Sequence, residues 1–157
     1  MTLVDELVAI RAAIVDKASE IPVEERGTPF VGHWTIKDLL AHLAGWDYAN
    51  VDAVADLRAG CLPAFYDEYD PGWGSYNQKL VEKYGTEDWD ELLRLLQDSQ
   101  AAFFDAVAGL SEEDVAAARG PAWRGHDISL HSVMRAAVRD ESEHLQQIRS
   151  FVASIGA

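Results

Sequence analysis

The sequence has little of what disulfide-bonded, nucleic-acid-binding and membrane proteins need. It contains one cysteine, Cys61, which cannot form an internal disulfide, so we expect a reducing compartment. The chain has 13 Lys and Arg residues against 27 Asp and Glu residues, and the net charge of −14 repels phosphate backbones and anionic lipid. No apolar run approaches the roughly 18 residues of a membrane span, and the first residues lack a signal-peptide pattern. We therefore expect a cytoplasmic protein that binds neither nucleic acid nor membrane.

Helical spacing of apolar residues runs through most of the chain, and no stretch alternates with the period of two that is typical of strands. Capping patterns with an Asp three residues on occur at Thr2, Thr35 and Ser111, while Thr86 and Asp127 are the expected starts of two further helices. We predict one all-α domain over residues 1–157, a four-helix bundle with short extra helices and a long crossover loop. The predicted long helices cover residues 2–19, 35–59, 86–108 and 128–154, and the short ones lie at 75–84 and after Ser111.

The connection after the second long helix is rich in aromatic residues. Residues 60–74 contain prolines and glycines that oppose a continuous helix, so we expect a non-helical segment packed on one end of the bundle. Five aromatics fall within residues 65–76: Phe65, Tyr66, Tyr69, Trp73 and Tyr76. One interpretation is a lid or wall over a planar or cationic ligand, with Trp46, Trp73 and Tyr76 as the predicted binding residues. The alternative is a loop that its aromatics merely pin to the bundle.

Ionisable residues interrupt the apolar face of the last helix. At about 100° per residue, Glu141 and His144 fall inside the apolar arc and Asp140 falls at its edge, while the arginines of this helix point outward. Burying such groups unpaired costs several kcal/mol each, so something must compensate them. On the helix of residues 35–59, Asp47 and Asn50 also interrupt the apolar stripe. They either line the same cavity or hydrogen-bond to a neighbouring helix.

Two interpretations of the ionisable cluster remain open. In the first, Asp140 and His144 (i, i+4) bind a divalent metal such as Zn, Fe, Ni or Mn, and His42 supplies the third ligand from across the bundle. Glu141 and His144 also have the Glu-x-x-His spacing of metal sites in bundle cores. In the second, the acids and histidines form a structural ion pair, with Arg58 neutralising Glu141.

Three segments resemble a known family. WTIKDLLAHLAGWD (residues 34–47) is similar to the second helix of DinB-like four-helix proteins, especially of the ClbS/DfsB-like branch, and NQKLVEKY (77–84) also resembles that branch. DESEHLQQI (140–148) resembles the terminal DinB motif, in which a His or an acid precedes a second His by four residues. The ClbS-like branch usually lacks the counterpart of His144, so the chain departs from its pattern there.

This resemblance implies both a metal site and a range of activities. Carried over by position, the ligands are His42, Asp140 and His144, with Asp140 where many members have His and the mycothiol-dependent isomerases have an acid. Some members are thiol transferases or isomerases acting with bacillithiol or mycothiol, including maleylpyruvate isomerase. The ClbS-like branch is associated with self-protection through hydrolysis of a genotoxin's cyclopropane.

The functional expectation is a metal-dependent enzyme in which water or a low-molecular-weight thiol attacks an electrophilic small molecule, with Glu141 as general base or ligand-orienting group. One rival is a non-catalytic protein that sequesters a small molecule and has a structural acid–histidine cluster. Another is a dimer-forming scaffold, and the sequence leaves a homodimer open.

Overall fold

The computed structural model describes residues 1–118 and 120–156, and this part of the chain consists of helices joined by loops and turns. Its extended pairing is limited, within those residues, to isolated bridges between Val31 and Trp34 and between Trp123 and His126. The all-α prediction is therefore confirmed. The α-helices, α1 to α6 in chain order, are Leu3–Ser19, Ile36–Arg58, Gly74–Tyr84, Trp89–Val107, Glu112–Ala116 and Leu130–Ile155. None of these helices is both long enough and apolar enough to cross a membrane.

Local capping interactions fix where the helices begin. The predicted capping boxes form at the starts of α1, α2 and α5, at Thr2, Thr35 and Ser111. The start of α4 differs from the prediction, because the Asp88 carboxylate, and not Thr86, accepts the backbone N–H of Glu91 at 3.1 Å.

The start of α6 also differs. Ser129 caps it in place of Asp127, since the Ser129 hydroxyl accepts the backbone N–H of Ser132 at 3.1 Å and the Ser132 hydroxyl accepts that of Ser129. These two serines satisfy each other's backbone donors, so no acidic residue is needed at this end.

Two apolar clusters define the directions of the four long helices. One cluster combines the first half of α1 and α6 with the ends of α2 and α4, through Leu7, Leu130, Val133, Val54, Leu57 and Phe103. The second combines the opposite ends, through Ile14, Ile148, Phe151, Ile36, Leu39 and Leu92. Helices α1 and α6 are therefore parallel to each other and antiparallel to α2 and α4, and the chain must cross the bundle between α2 and α4.

The crossover consists of two 3₁₀ turns, Ala64–Glu68 and Pro71–Trp73, followed by α3. We predicted a wholly non-helical segment over 60–74, but Pro63 and Pro71 stand at the starts of these turns, where a fixed φ favours helical geometry. Helix α3 then packs closely against α2. At Gly45, an added Cβ would lie only 2.7 Å from the Cβ of Leu80.

Candidate metal centre and cavity

Three predicted metal ligands meet between α2 and α6. The Nε2 atom of His42 lies 3.1 Å from Asp140 Oδ2, and the Nε2 atom of His144 lies 3.2 Å from Asp140 Oδ1. One ligand atom from each residue can be chosen so that all lie within 4.8 Å of one another. His42 and His144 are buried, whereas 40% of the Asp140 side chain is exposed, in keeping with its place at the edge of the apolar arc. Two imidazoles and one carboxylate are a ligand set that suits Zn and similar divalent ions.

A hydrogen bond to Gln147 orients the ring of His144. The Nδ1 atom of His144 lies 2.6 Å from the Gln147 carbonyl oxygen, which can only accept, so Nδ1 carries the proton. The neutral ring therefore presents an unprotonated Nε2 to Asp140. A lone pair and a carboxylate oxygen at 3.2 Å repel each other unless a proton or a cation lies between them. Metal-ligating histidines are commonly fixed in this way, by a hydrogen bond from the ring nitrogen that does not face the metal.

Without a metal, Asp140 and His144 shift each other's pKa, and protons on these groups compete with metal binding. Burial works to raise the pKa of the Asp140 carboxyl. Hydrogen bonds from His144 and His42 outweigh this effect and hold the pKa of Asp140 well below its usual range. Burial likewise works to lower the pKa of His144, and the Asp140 carboxylate reverses this and raises it. The Nδ1 atom of His42 is buried and has no hydrogen-bond partner within the described residues, so the protein does not satisfy both nitrogens of that ring.

A buried ion network stands beside the three ligands. The guanidinium of Arg11, from α1, bonds Glu141 at 2.6 and 3.1 Å and Asp47 at 3.0 and 3.2 Å, and it also donates to the backbone oxygen of Leu96. Ser99 donates a further hydrogen bond to Asp47 at 2.7 Å. Four helices thus meet at one cation, and Glu141 is neutralised by Arg11 and not by Arg58 as the structural alternative assumed.

Burial sets the protonation behaviour of this network. Desolvation raises the pKa of the Glu141 carboxyl, although the charge of Arg11 pulls it the other way. Desolvation also acts against the Arg11 cation, yet the two carboxylates more than compensate and raise its pKa further above its ordinary value. One cation shared by two acids leaves a net negative charge next to the candidate metal ligands.

A cavity of about 400 Å³ opens beside the ligands. His42, Asp140 and Glu141 line it directly, and His144 contacts the ring of His42 with 5.0 Å between centroids. Both residues that interrupted the stripe of α2, Asp47 and Asn50, also line it. This volume is within the range of small-molecule sites. The apolar lining comes from α2, α6 and the crossover, and includes Leu43, Trp46, Phe65, Tyr66, Trp73, Val133 and Ala137.

Aromatic rings of the crossover form one wall of the cavity. The ring of Trp46 lies 5.1 Å from Phe65, 5.7 Å from Trp73 and 5.3 Å from Tyr76, and its Nε1 donates to the Asn77 side chain at 2.7 Å. Trp73 has a φ of 59°, an unusual backbone state for a bulky residue, and ring packing holds it there. Trp46 and Trp73 reach the cavity, while Tyr76 supports them from behind the lining.

Sequence reasoning missed four residues that build this site: Arg11, Gln147, Asn77 and Trp123. Arg11 carried a usable signal, because it lies four residues after Leu7 and three before Ile14 on the buried stripe of α1. Trp123 lies in the loop before α6 and contacts Tyr66, Tyr69 and Trp73, which extends the aromatic cluster away from the cavity.

Comparison with known proteins identifies one related group. A sequence profile described as the DinB superfamily matches residues 6–148 of the chain. No curated protein and no solved structure matches it.

Proposed function

Since the chain belongs to the DinB superfamily, we propose that it is a metal-dependent enzyme in which water or a low-molecular-weight thiol attacks an electrophilic small molecule. The observation that carries this proposal is the convergence of His42, Asp140 and His144 at one side of a cavity large enough for a substrate. A divalent metal held by these residues supplies Lewis acidity, which lowers the pKa of a nucleophile. Zn, Ni, Fe and Mn all suit this ligand set.

The surrounding side chains divide the remaining tasks. The Gln147 carbonyl accepts from Nδ1 and so holds the ring of His144 with Nε2 toward Asp140. Glu141 lines the cavity, and its pKa is raised by burial, which suits a general base that takes the proton of the nucleophile. Arg11 fixes the Glu141 carboxylate through two hydrogen bonds. The rings of Trp46 and Trp73 bind the flat part of a substrate and exclude water from it.

The single cysteine and the acidic composition support a cytoplasmic site of action. Within the DinB superfamily, similarity of residues 34–47 and 77–84 to the ClbS/DfsB-like branch favours a protective reaction on a reactive electrophile. The acid at Asp140 favours the thiol-dependent isomerases, and so does His144, whose counterpart the ClbS-like branch usually lacks.

A second candidate is a non-catalytic protein that sequesters a small molecule. It is supported by the direct contacts of Asp140 with both histidines, because a proton on each ring satisfies those contacts without any metal. Metal content and turnover separate the two candidates.

The test is metal titration of the tag-free protein by calorimetry, with elemental analysis of the purified protein. Wild type should bind one equivalent of Zn or Ni. His144→Ala should weaken affinity by more than about 100-fold, since even loss of a group that only hydrogen-bonds to a metal ligand costs about 10- to 100-fold. His131→Ala is the matched control, because His131 is exposed on the same helix and should leave affinity unchanged.

Turnover is measured on the same variants as metal-dependent conjugation of chlorodinitrobenzene to a small thiol and as hydrolysis of an aryl ester. Activity in Zn-loaded wild type and its loss in His144→Ala support the enzyme. Equal metal affinity in wild type and His144→Ala would leave the sequestering protein as the better account.

A further inference from the structure

Asn50 is a buried cavity residue whose amide has no partner in the fold. The residue is only 5% exposed and lines the cavity, yet its side chain makes no hydrogen bond within residues 1–118 and 120–156. Its polar neighbours are satisfied: Asp47 accepts from Arg11 and Ser99, and Asn77 accepts from Trp46. An amide offers two donors and two acceptor sites. Neither amide atom of Asn50 is fully enclosed by protein, so both can be reached from the cavity. The contents of the cavity must therefore satisfy Asn50, with water in the free protein and with a ligand group in the complex.

The position of Asn50 places this amide away from the candidate metal ligands. His42, Trp46 and Asn50 follow each other at four-residue steps on one face of α2, so the two ends are about 12 Å apart along the helix axis. Trp46, which also lines the cavity, lies between these two residues along α2. The cavity thus has the candidate metal ligands at one end and Asn50 about two helical turns away, beyond Trp46 on α2.

Charge decides which ligand group suits the far end. Asp47 and Glu141 both line the cavity and share the cation of Arg11. The lining also holds Asp140, Glu143 and one further cation, Arg139, so the acids outnumber the cations and the local charge is negative. A ligand carboxylate or phosphate would be repelled there. A neutral group with both a donor and an acceptor pairs with a primary amide in both directions, and amides and lactams are such groups.

We infer that Asn50 determines substrate specificity by binding a neutral amide or lactam at the far end of a planar aromatic substrate. The flat part of that substrate lies against Trp46 and Trp73, and its reacting end faces His42 and Asp140. This inference rests on the proposed function for the reacting end alone. Recognition by Asn50 is measurable without any metal.

The experiment uses metal-free protein in EDTA and two probes of the same shape, naphthamide and its hydrocarbon isostere isopropenylnaphthalene. Each is titrated into ¹⁵N-labelled protein and followed by NMR. Naphthamide should bind about tenfold more tightly, the value of one well-made hydrogen bond. Its titration should also shift the side-chain NH₂ resonance of Asn50, which is assigned by its absence from Asn50→Leu.

Two variants locate the hydrogen bond. Asn50→Leu, of similar volume, should bring the two dissociation constants within about twofold while still binding the hydrocarbon, which shows that the cavity is intact. Tyr66→Phe is the matched control, because Tyr66 also lines the cavity and its hydroxyl is a competing donor. It should keep the tenfold preference.

Equal affinity of wild type for both probes would overturn the inference. So would a preference that survives in Asn50→Leu or disappears in Tyr66→Phe. If Asn50→Leu does not fold, the test relies on wild type alone. It then consists of the preference for naphthamide over the hydrocarbon and the shift of the Asn50 side-chain resonance, which is assigned by through-bond NMR experiments. Absence of metal binding in the titrations above would overturn the proposed function and leave this result standing.

Discussion

At the scale of single residues, Arg11 has the largest expected effect on stability. Arg11, Asp47 and Glu141 are each at most 5% exposed, and no other cation contacts these two carboxylates within the described residues. Arg11→Met should lower the free energy of unfolding by about 3–5 kcal/mol, since removing one partner leaves uncompensated buried charge. Urea unfolding at neutral pH measures the loss.

The control for that substitution is Arg135→Met, at an exposed position on α6, which should change stability by less than about 0.5 kcal/mol. The deficit of Arg11→Met should also shrink under acid conditions, because protonation of Glu141, whose pKa burial already raises, removes the unpaired charge. A deficit as small as that of Arg135→Met would show that the network is not an important source of stability.

Metal binding should depend on pH through His144. A metal requires the unprotonated Nε2, and Asp140 raises the pKa of this ring in the metal-free protein. As pH falls through that raised pKa, protons occupy the ligand, and the apparent affinity should drop by about tenfold per pH unit. Competition with a chromophoric chelator between about pH 5 and 8 measures the slope, across the range in which histidine titrates. A metal affinity that does not change with pH over this range would contradict the assignment of His144 as a ligand.

The residues of the site differ in how far sequence could predict them. Asp140, Glu141 and His144 interrupt a regular apolar arc, so their inward direction follows from helix geometry alone. The partners Arg11 and Gln147 could not be assigned in this way. Arg11 meets Glu141 across 130 positions of sequence, and the rotamer of Gln147 decides whether it reaches His144. Such contacts depend on how helices are placed relative to one another, which periodicity does not specify.

At the scale of helices, the close approach of α2 and α3 is the most sensitive contact. Gly45→Ala would place a Cβ 2.7 Å from the Cβ of Leu80, so α3 must move away. We expect a loss of about 1–3 kcal/mol from overpacking, even though alanine favours the helix by about 1 kcal/mol. Gly74→Ala is the matched control, because it lies at the start of α3 with nothing within 4 Å of the added Cβ, and it should be neutral or slightly stabilising. Thermal unfolding of both variants tests this, and equal stability would show that α3 is loosely held.

Helix positions were the most predictable part of this fold, for a local reason. Capping boxes and apolar periodicity depend on residues three or four positions apart, so α1 and α2 begin within one residue of their predicted starts. The crossover was harder to predict. Its 3₁₀ turns are too short for a period to show, and the αL state of Trp73 depends on rings that come from elsewhere in the chain.

At the scale of the whole molecule, the bundle is two pairs of parallel helices that share an apolar core and are also joined by polar contacts. Helix α1 packs mainly on α6, and α2 packs mainly on α4 and α3. The Arg11 network and the His42–Asp140 contact both connect one pair to the other. Any displacement of α6 from α2 would separate the candidate metal ligands. The proposed function therefore depends on the same contacts that join the two helix pairs.

A metal at this junction should stabilise the entire fold, since its ligands come from both helix pairs and are dispersed in the unfolded chain. At a free Zn concentration about 100 times the dissociation constant, binding to the folded state alone adds about 2.7 kcal/mol. For a chain of this size that corresponds to a rise in the melting temperature of about 5–10 °C. Calorimetric scans with Zn and with EDTA measure the shift in wild type, in His42→Ala, which removes the ligand on α2, and in His131→Ala as the exposed control. The shift should persist in His131→Ala and vanish in His42→Ala. A shift of equal size in all three proteins would mean that Zn binds elsewhere on the acidic surface and that α2 and α6 are not joined through the metal.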